Sequence, residues 1–128
     1  MANRVIYTDK APAAVGPYSQ AIQAGGTLYS SGQLGLIPET GLLPEGIEAQ
    51  TVRALANVEA VLKEAGFEKE DVVKTTVFLT DLGNFGKVNE LYAGFFGETK
   101  PARSCVEVSA LPKGGLVEIE FVAVKHIY

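Results

Sequence analysis

The stretch that decides the fold of this 128-residue chain reads Val117-Glu118-Ile119-Glu120-Phe121-Val122-Ala123-Val124. Side chains of a β-strand point alternately to opposite faces, so one face of this stretch is wholly apolar and the other carries two glutamates and two valines. The pattern predicts a strand over Leu116–His126 with apolar residues on both faces. We therefore expect both faces of the sheet to be packed against other parts of the structure.

Working outward from this strand, β-branched residues and turn residues predict five more strands, at Arg4–Tyr7, Gln20–Ala24, Thr27–Gln33, Val72–Leu79 and Arg103–Ser109. Apolar residues at helical spacing predict two helices, over Ile47–Ala65 and Asn84–Phe96. Gly66 and Gly97 follow these helices directly, as helix-ending glycines do. The segment Gly35–Gly46 is the one long loop.

The element order β-β-β-α-β-α-β-β predicts a single α+β domain over residues 1–128, a sandwich of an about six-stranded sheet with both helices on one face. Two helices cover only one face of such a sheet. Because the other face also carries apolar residues, we expect it to pack against another subunit. Clefts are common at such interfaces.

Composition excludes several classes of protein. Hydrophobic residues are 47% and charged residues 20%, so a disordered chain is not expected. The net charge is −4 with no basic run, so nucleic acid is not expected as a partner. One cysteine and one histidine exclude a disulfide framework and multi-cysteine metal sites, and we expect chemistry without a metal. Without a secretory signal or a membrane-length apolar stretch, we expect a cytoplasmic protein with no membrane partner.

Arg103 opens a predicted strand and is a candidate for binding a small carboxylate, because a guanidinium can form two parallel hydrogen bonds with it. The alternative is a surface ion pair with a nearby acid. Glu118 and Glu120 share one strand face, and a glutamate can take a proton from water and return it to a leaving amine. Their alternative is a solvated strand edge that discourages aggregation.

Four other residues are weaker candidates. Tyr18 and Ser31 lie in glycine-containing turns that could contact a bound anion or could be ordinary loops. Asn89 lies in the apolar stripe of the second helix, where it lines a pocket or makes a structural hydrogen bond. Cys105, two residues after Arg103, is interpreted as pocket lining and not as a nucleophile.

Together these segments resemble the RidA-type reactive intermediate deaminase family along nearly the whole chain. The matching motifs are Gly16-Pro17-Tyr18-Ser19-Gln20, Ser31-Gly32-Gln33, Val73-Lys74-Thr75-Thr76-Val77-Phe78-Leu79 with Asp81, Val88-Asn89 with Tyr92 and Phe95-Phe96, Pro101-Ala102-Arg103-Ser104-Cys105-Val106-Glu107-Val108, Leu111-Pro112 and Val117-Glu118-Ile119-Glu120.

The resemblance implies a chorismate-mutase-like sandwich, a homotrimer with three clefts between subunits, and cofactor-independent hydrolysis of 2-imino acids to 2-keto acids and ammonia. Typical substrates are 2-iminopropanoate and 2-iminobutanoate, which can damage other enzymes. The resemblance places the family's arginine on Arg103 and its water-handling glutamate on Glu118. It also places substrate contacts on Tyr18, Ser31, Asn89 and the backbone of Cys105.

Two other functions stay open from the sequence. A regulatory module that binds small carboxylates would use Arg103 but not Glu118. RNA cleavage or inhibition of translation, also associated with the family, is disfavoured by the acidic charge and the single histidine.

Overall fold

A computed structural model describes residues 2–125. The strands are β1 (Arg4–Ile6), β2 (Ala21–Ala24), β3 (Thr27–Ser30), β4 (Gln33–Leu34), β5 (Val72–Leu79), β6 (Ala102–Glu107) and β7 (Val117–Val124). The helices are α1 (Ile47–Ala65) and α2 (Phe85–Phe96), and short 3₁₀ turns precede β5, α2 and β7.

The strands form one mixed sheet in the order β1-β2-β3-β7-β5-β6, and β4 also pairs with β7. Neighbouring strands are antiparallel except β5 and β6, which run parallel and are connected through α2. A parallel pair needs such a crossover connection, because a tight hairpin can join only antiparallel strands. The predicted α+β architecture with two helices is confirmed.

The alternation of β7 is the one that its sequence predicts. Its four apolar residues on the helix side are at most 2% exposed and belong to the core: Val117, Ile119, Phe121 and Ala123. The core continues into α1 through Val58, Val61 and Leu62. The other side chains of β7 are only half-buried and lie on the face without helices, which we call the open face.

Both helices occupy their predicted positions. The bounds of α1 match the prediction, and Gly66 adopts the left-handed conformation (φ 81°) and donates its N–H to the last turn. The second helix begins one residue later than predicted, at Phe85, after a 3₁₀ turn in which Asp81 accepts a hydrogen bond from the N–H of Gly83.

The predicted third strand, Thr27–Gln33, is in fact two strands, so the sheet has seven strands where about six were expected. Tyr29 pairs with Val122 and Gln33 pairs with Ile119, so the segment that joins β3 to β4 advances four residues while β7 advances three. The extra residue is a bulge at Ser31–Gly32. There the Ser30 hydroxyl accepts the N–H of Phe121 (2.8 Å) in place of a ladder bond.

The other strand ends differ from the predictions by one to two residues. The first strand stops at Ile6, the second starts at Ala21, and β6 covers Ala102–Glu107. The last strand ends at Val124, and the predicted end at His126 lies outside the described residues.

The open face carries an apolar row that crosses the sheet. The paired residues of this row are Val5, Ile22, Tyr29 and Val122. Val5 and Tyr29 are 64% and 52% exposed. The sequence-based expectation of an uncovered apolar face is thus met by the described part of the chain.

Candidate active site

Arg103 lies on the helix side of the sheet, at its β6 edge. It pairs with the buried Thr75 of β5, and its Nη1 donates a hydrogen bond to Oδ1 of Asn89 on α2 (2.8 Å). No carboxylate of residues 2–125 forms an ion pair with it. The surface ion pair that the sequence left open is therefore not formed within these residues, and the guanidinium keeps donors for a bound anion.

Two aromatic rings lie close to this guanidinium. Its Cζ lies 4.8 Å from the ring centre of Tyr92 and 5.5 Å from that of Phe85. The Tyr92 hydroxyl shares a 2.7 Å hydrogen bond with Thr75. Burial raises the pKa of Tyr92, while the bond to Thr75 and the charge of Arg103 oppose the rise, so the phenol is neutral at physiological pH. Arg103 is thus held before any ligand arrives.

A cavity of about 370 Å³ opens beside this cluster. Asn89, Tyr92, Pro101 and Arg103 are among its lining residues. Cys105 is two residues further along the same face and packs against the core. Burial raises the pKa of its thiol, and Arg103 only partly offsets this rise. A thiol that stays protonated is a poor nucleophile, in line with the prediction that Cys105 is not one. Its predicted place in the lining of a pocket stays a prediction, because Cys105 is not among the residues that line this cavity.

Glu118 lies on the open face, opposite Phe78 of β5. Burial raises the pKa of its carboxyl, and the neighbouring charge of Glu120 raises it further. Within residues 2–125, no side chain or backbone N–H donates a hydrogen bond to this carboxyl. A half-buried acid without a protein donor can bind water, and its raised pKa makes it a stronger base than an exposed glutamate.

The cavity in front of Glu118 has a volume of about 530 Å³. Tyr18 and Ser31 are among its lining residues. Tyr18 is half exposed at the rim, whereas the Ser31 hydroxyl donates a 2.6 Å hydrogen bond to the carbonyl of Ser19. The bond leaves only the lone pairs of Ser31 for a ligand.

Buried amides hold the walls of this cavity. The side chain of Gln20 accepts a hydrogen bond from the N–H of Thr8 (2.7 Å) and donates to the carbonyl of Pro12 (2.8 Å), which anchors the segment before β2. Asn57 of α1 donates to the carbonyls of Leu34 and Leu36 (both 2.9 Å), where β4 passes into the long loop.

Several lining residues were not predicted from the sequence. Leu36, Pro38 and Gly41 place the 35–46 loop in the wall of the Glu118 cavity. Lys113 lines it too, with a left-handed backbone (φ 59°) that only its turn context hinted at. Tyr92 belongs to the apolar stripe of α2, and nothing in that stripe distinguishes a core aromatic residue from one that also stacks on Arg103.

The two predicted groups do not share a cavity within one chain. Arg103, Asn89 and Cys105 lie on the helix side, and Glu118, Tyr18 and Ser31 lie on the open side. The two cavities have no lining residue in common. A single site that uses both Arg103 and Glu118 therefore needs residues from two chains.

Comparison with known proteins identifies the family. The family model described as Endoribonuclease L-PSP matches residues 8–125. This chain belongs to the RidA (L-PSP) family. It is 51% identical to the 2-iminobutanoate/2-iminopropanoate deaminase of Mus musculus over 123 residues, which cover 95% of this chain and 91% of the mouse protein.

Solved structures of family members agree closely with the fold. RidA from the Antarctic bacterium Psychrobacter sp. superposes with a TM-score of 0.93 at 51% identity, over 95% of this chain and 99% of that one. TdcF of E. coli, solved with bound serine, gives a TM-score of 0.93 at 42% identity, over 96% and 99% of the two chains. RidA-family membership thus rests on both sequence and fold.

Two further observations concern classes of site. No helix within residues 2–125 is long and apolar enough to span a bilayer. The same part of the chain contains no cluster of three His, Cys, Asp or Glu residues that could hold a metal ion.

Proposed function

We propose that this RidA-family protein is a 2-iminobutanoate/2-iminopropanoate deaminase, which hydrolyses small 2-imino acids to 2-keto acids and ammonia in the cytoplasm. The observation that carries the proposal is that the chain holds two complementary groups with free hydrogen-bonding capacity: Arg103, a fixed guanidinium without an acid, and Glu118, a half-buried acid without a donor. The name of the mouse relative and the serine bound to TdcF point to the same substrate class.

In the proposed active form, a homotrimer, each cleft combines Arg103 of one chain with Glu118 of the partner subunit. The uncovered apolar row of the open face supports association, because a monomer rarely exposes such a surface. The separation of the two cavities within a chain supports a shared cleft. Closed rings of identical subunits use two different patches at every interface, which suits a site with two unlike halves.

Arg103 binds the substrate carboxylate through two N–H groups, aided by the backbone N–H of Cys105, while Tyr18, Ser31 and Asn89 line the cleft. Water held by Glu118 attacks C2 of the protonated imine, and Glu118 takes one proton from that water. The resulting carbinolamine receives this proton on its nitrogen. Its C–N bond then breaks, its hydroxyl becomes the keto group by giving its proton to the Glu118 carboxylate, and ammonia leaves.

The environment of Glu118 suits both halves of this proton transfer. A carboxyl with an ordinary pKa is a weak acid catalyst at neutral pH because it is almost wholly ionised. Burial raises the pKa of Glu118 toward the working pH, so that the group can accept a proton and give it back. Imine hydrolysis already proceeds in water, so positioning and proton transfer suffice without a covalent intermediate.

The test couples the protein to a threonine dehydratase and traps the remaining imine with semicarbazide. We expect the protein to lower the trapped imine and to speed release of the keto acid. Arg103→Ala and Glu118→Gln should each lose about a hundredfold or more of this acceleration. Glu120→Gln, on the same strand face but outside the cavity lining, is the matched control and should keep most of it.

Each rival function gives its own result in this experiment. Binding of serine or 2-ketobutanoate without acceleration would favour a carboxylate-binding module. Salt-sensitive cleavage of RNA that survives Glu118→Gln would favour the endoribonuclease activity named in the family description. If either result is obtained and the protein does not lower the amount of trapped imine, the proposed deaminase function is refuted.

A further inference from the structure

Gly32 sits in the bulge between β3 and β4, directly beside Glu118. Its backbone does not explain why a glycine is there, because its φ lies outside the left-handed region that favours glycine. Other glycines of the chain, such as Gly41 (φ 71°) and Gly66 (φ 81°), do have that reason. The requirement at position 32 is therefore one of space.

The space is occupied by the Glu118 side chain. A Cβ added to Gly32 would lie 2.6 Å from Cδ, 2.8 Å from Cγ and 2.8 Å from Oε2 of Glu118. These are its three nearest neighbours, and all belong to that one side chain. Contacts between non-bonded carbon atoms are normally 3.5–4.0 Å, so a residue with a Cβ and the present position of the carboxyl exclude each other.

We propose that Gly32 is a positioning residue: its missing side chain forms the seat that holds the Glu118 carboxyl half-buried at the wall of the cavity. The role assigned here to Gly32 in catalysis rests on the proposed deaminase function. The bulge contributes as well, since its extra residue brings the backbone of Gly32 over β7 without a side chain between them.

The steric conflict that a side chain would create at Gly32 differs from the one that it would create at Gly35. A Cβ on Gly35 would lie 2.3 Å from the backbone carbonyl oxygen of Gln50, which cannot move without shifting α1. The three nearest neighbours of a Cβ on Gly32 all belong to one flexible side chain, which can swing into the cavity. Substitution at Gly35 should therefore damage the fold, and substitution at Gly32 should displace one carboxyl.

The experiment compares Gly32→Ala with the wild type, with Gly35→Ala and with Gly94→Ala, whose Cβ would have no neighbour within 4 Å. We expect Gly32→Ala to lower kcat for imine hydrolysis about tenfold or more, because small misplacements of a catalytic group are costly. Its KM should stay within about threefold, since Arg103 is untouched. Its Tm should stay within about 3 °C of the wild type, unlike that of Gly35→Ala. Gly94→Ala should match the wild type in kcat.

A second readout does not depend on turnover. Titration of the ¹³C-labelled Glu118 carboxyl by NMR should give a lower pKa in Gly32→Ala than in the wild type, because the displaced group gains solvent. An unchanged carboxyl titration would overturn the proposal, and so would a loss of kcat that merely parallels a loss of stability. If the wild type hydrolyses no imine, the deaminase function fails by itself, and the titration still decides whether Gly32 positions Glu118.

Discussion

Glu118 illustrates how one residue can be costly for the fold and useful for the proposed chemistry. Its carboxyl loses solvent on folding and lies near a second acid, so the folded chain binds its proton more tightly than the unfolded chain does. In the proposed reaction the first step needs the ionised form, which is also the form that burial penalises. Function and stability are therefore opposed at this position.

We expect Glu118→Gln to be more stable than the wild type at pH 8, with a Tm higher by a few degrees, because the amide keeps the shape and removes the desolvated charge. The pKa of Glu118 is higher in the folded chain than in the unfolded chain, so below the unfolded pKa of about 4.3 the carboxyl is protonated and its contribution to stability is fully present. This contribution is lost as the pH rises through the folded pKa. The advantage of Gln should therefore shrink as the pH falls through that window. Thermal unfolding from pH 4 to 8 measures it.

The control for this prediction is Glu39→Gln, which changes an exposed acid of the long loop. Its Tm should follow the wild type at every pH. A stability difference for Glu118→Gln that does not depend on pH would contradict the assignment of the penalty to the ionised carboxyl.

At the residue scale, the sequence predicts candidate reactive groups but not their relative placement. Alternation shows which residues of a single strand lie on the same face of the sheet. Whether residues of two different strands lie on the same face depends on the register in which the strands pair. Arg103 pairs with Thr75 and Glu118 pairs with Phe78, which point to opposite faces of β5. No local pattern contains this information, so the sequence could not indicate that one chain separates the two groups.

At the scale of elements, the helices were predictable because each combines a long apolar period with a terminal glycine. The bulge at Ser31–Gly32 was not, because the run from Thr27 to Gln33 reads as one strand. At its break the N–H of Phe121 donates to the Ser30 hydroxyl in place of a ladder bond, which is a tertiary effect. The same break provides the space beside Glu118.

The junction between α1 and β4 gives a prediction at this scale. Asn57 is fully buried, and its amide donates to both Leu34 and Leu36. Asn57→Ala leaves two buried carbonyls without a donor, so we expect it to lower the free energy of unfolding by about 3 kcal/mol. Urea denaturation measures the change. Glu64→Ala, on the exposed side of the same helix, should stay within about 0.5 kcal/mol of the wild type, and equal effects of the two would contradict the role of Asn57.

At the scale of the whole molecule, the open face gives a prediction about assembly. Tyr29 lies in the apolar row of that face and Val52 lies on the outer side of α1, and they are 52% and 53% exposed in one chain. Tyr29→Lys should weaken association and lower imine hydrolysis together, because a charge enters a surface that the proposed trimer buries. Val52→Lys, equally exposed, should leave both unchanged.

Analytical ultracentrifugation at micromolar concentration, with activity measured on the same samples, tests this pair of variants. The wild type and Val52→Lys should sediment as trimers. A wild type that sediments as a monomer and is active would refute the shared cleft.

A mixing experiment tests the shared cleft directly. Arg103→Ala and Glu118→Gln should each be inactive alone. When the two are unfolded, mixed in equal amounts and refolded, each cleft draws its two halves from chains at random, so about a quarter of clefts receive both intact groups. Activity should therefore recover to about a quarter of the wild-type value. Refolding each variant separately before mixing is the control and should give none, and the absence of recovery in the co-refolded sample would show that the two groups do not act across chains.

The back-to-back placement of Arg103 and Glu118 also bears on inheritance and dosage. In the proposed ring, every chain contributes Arg103 to the cleft with one neighbour and Glu118 to the cleft with the other neighbour. A subunit that lacks both groups but still assembles would inactivate two of the three clefts in any ring that it forms with two intact subunits. Such an allele would act dominantly, whereas an allele whose product cannot assemble would only reduce the amount of enzyme.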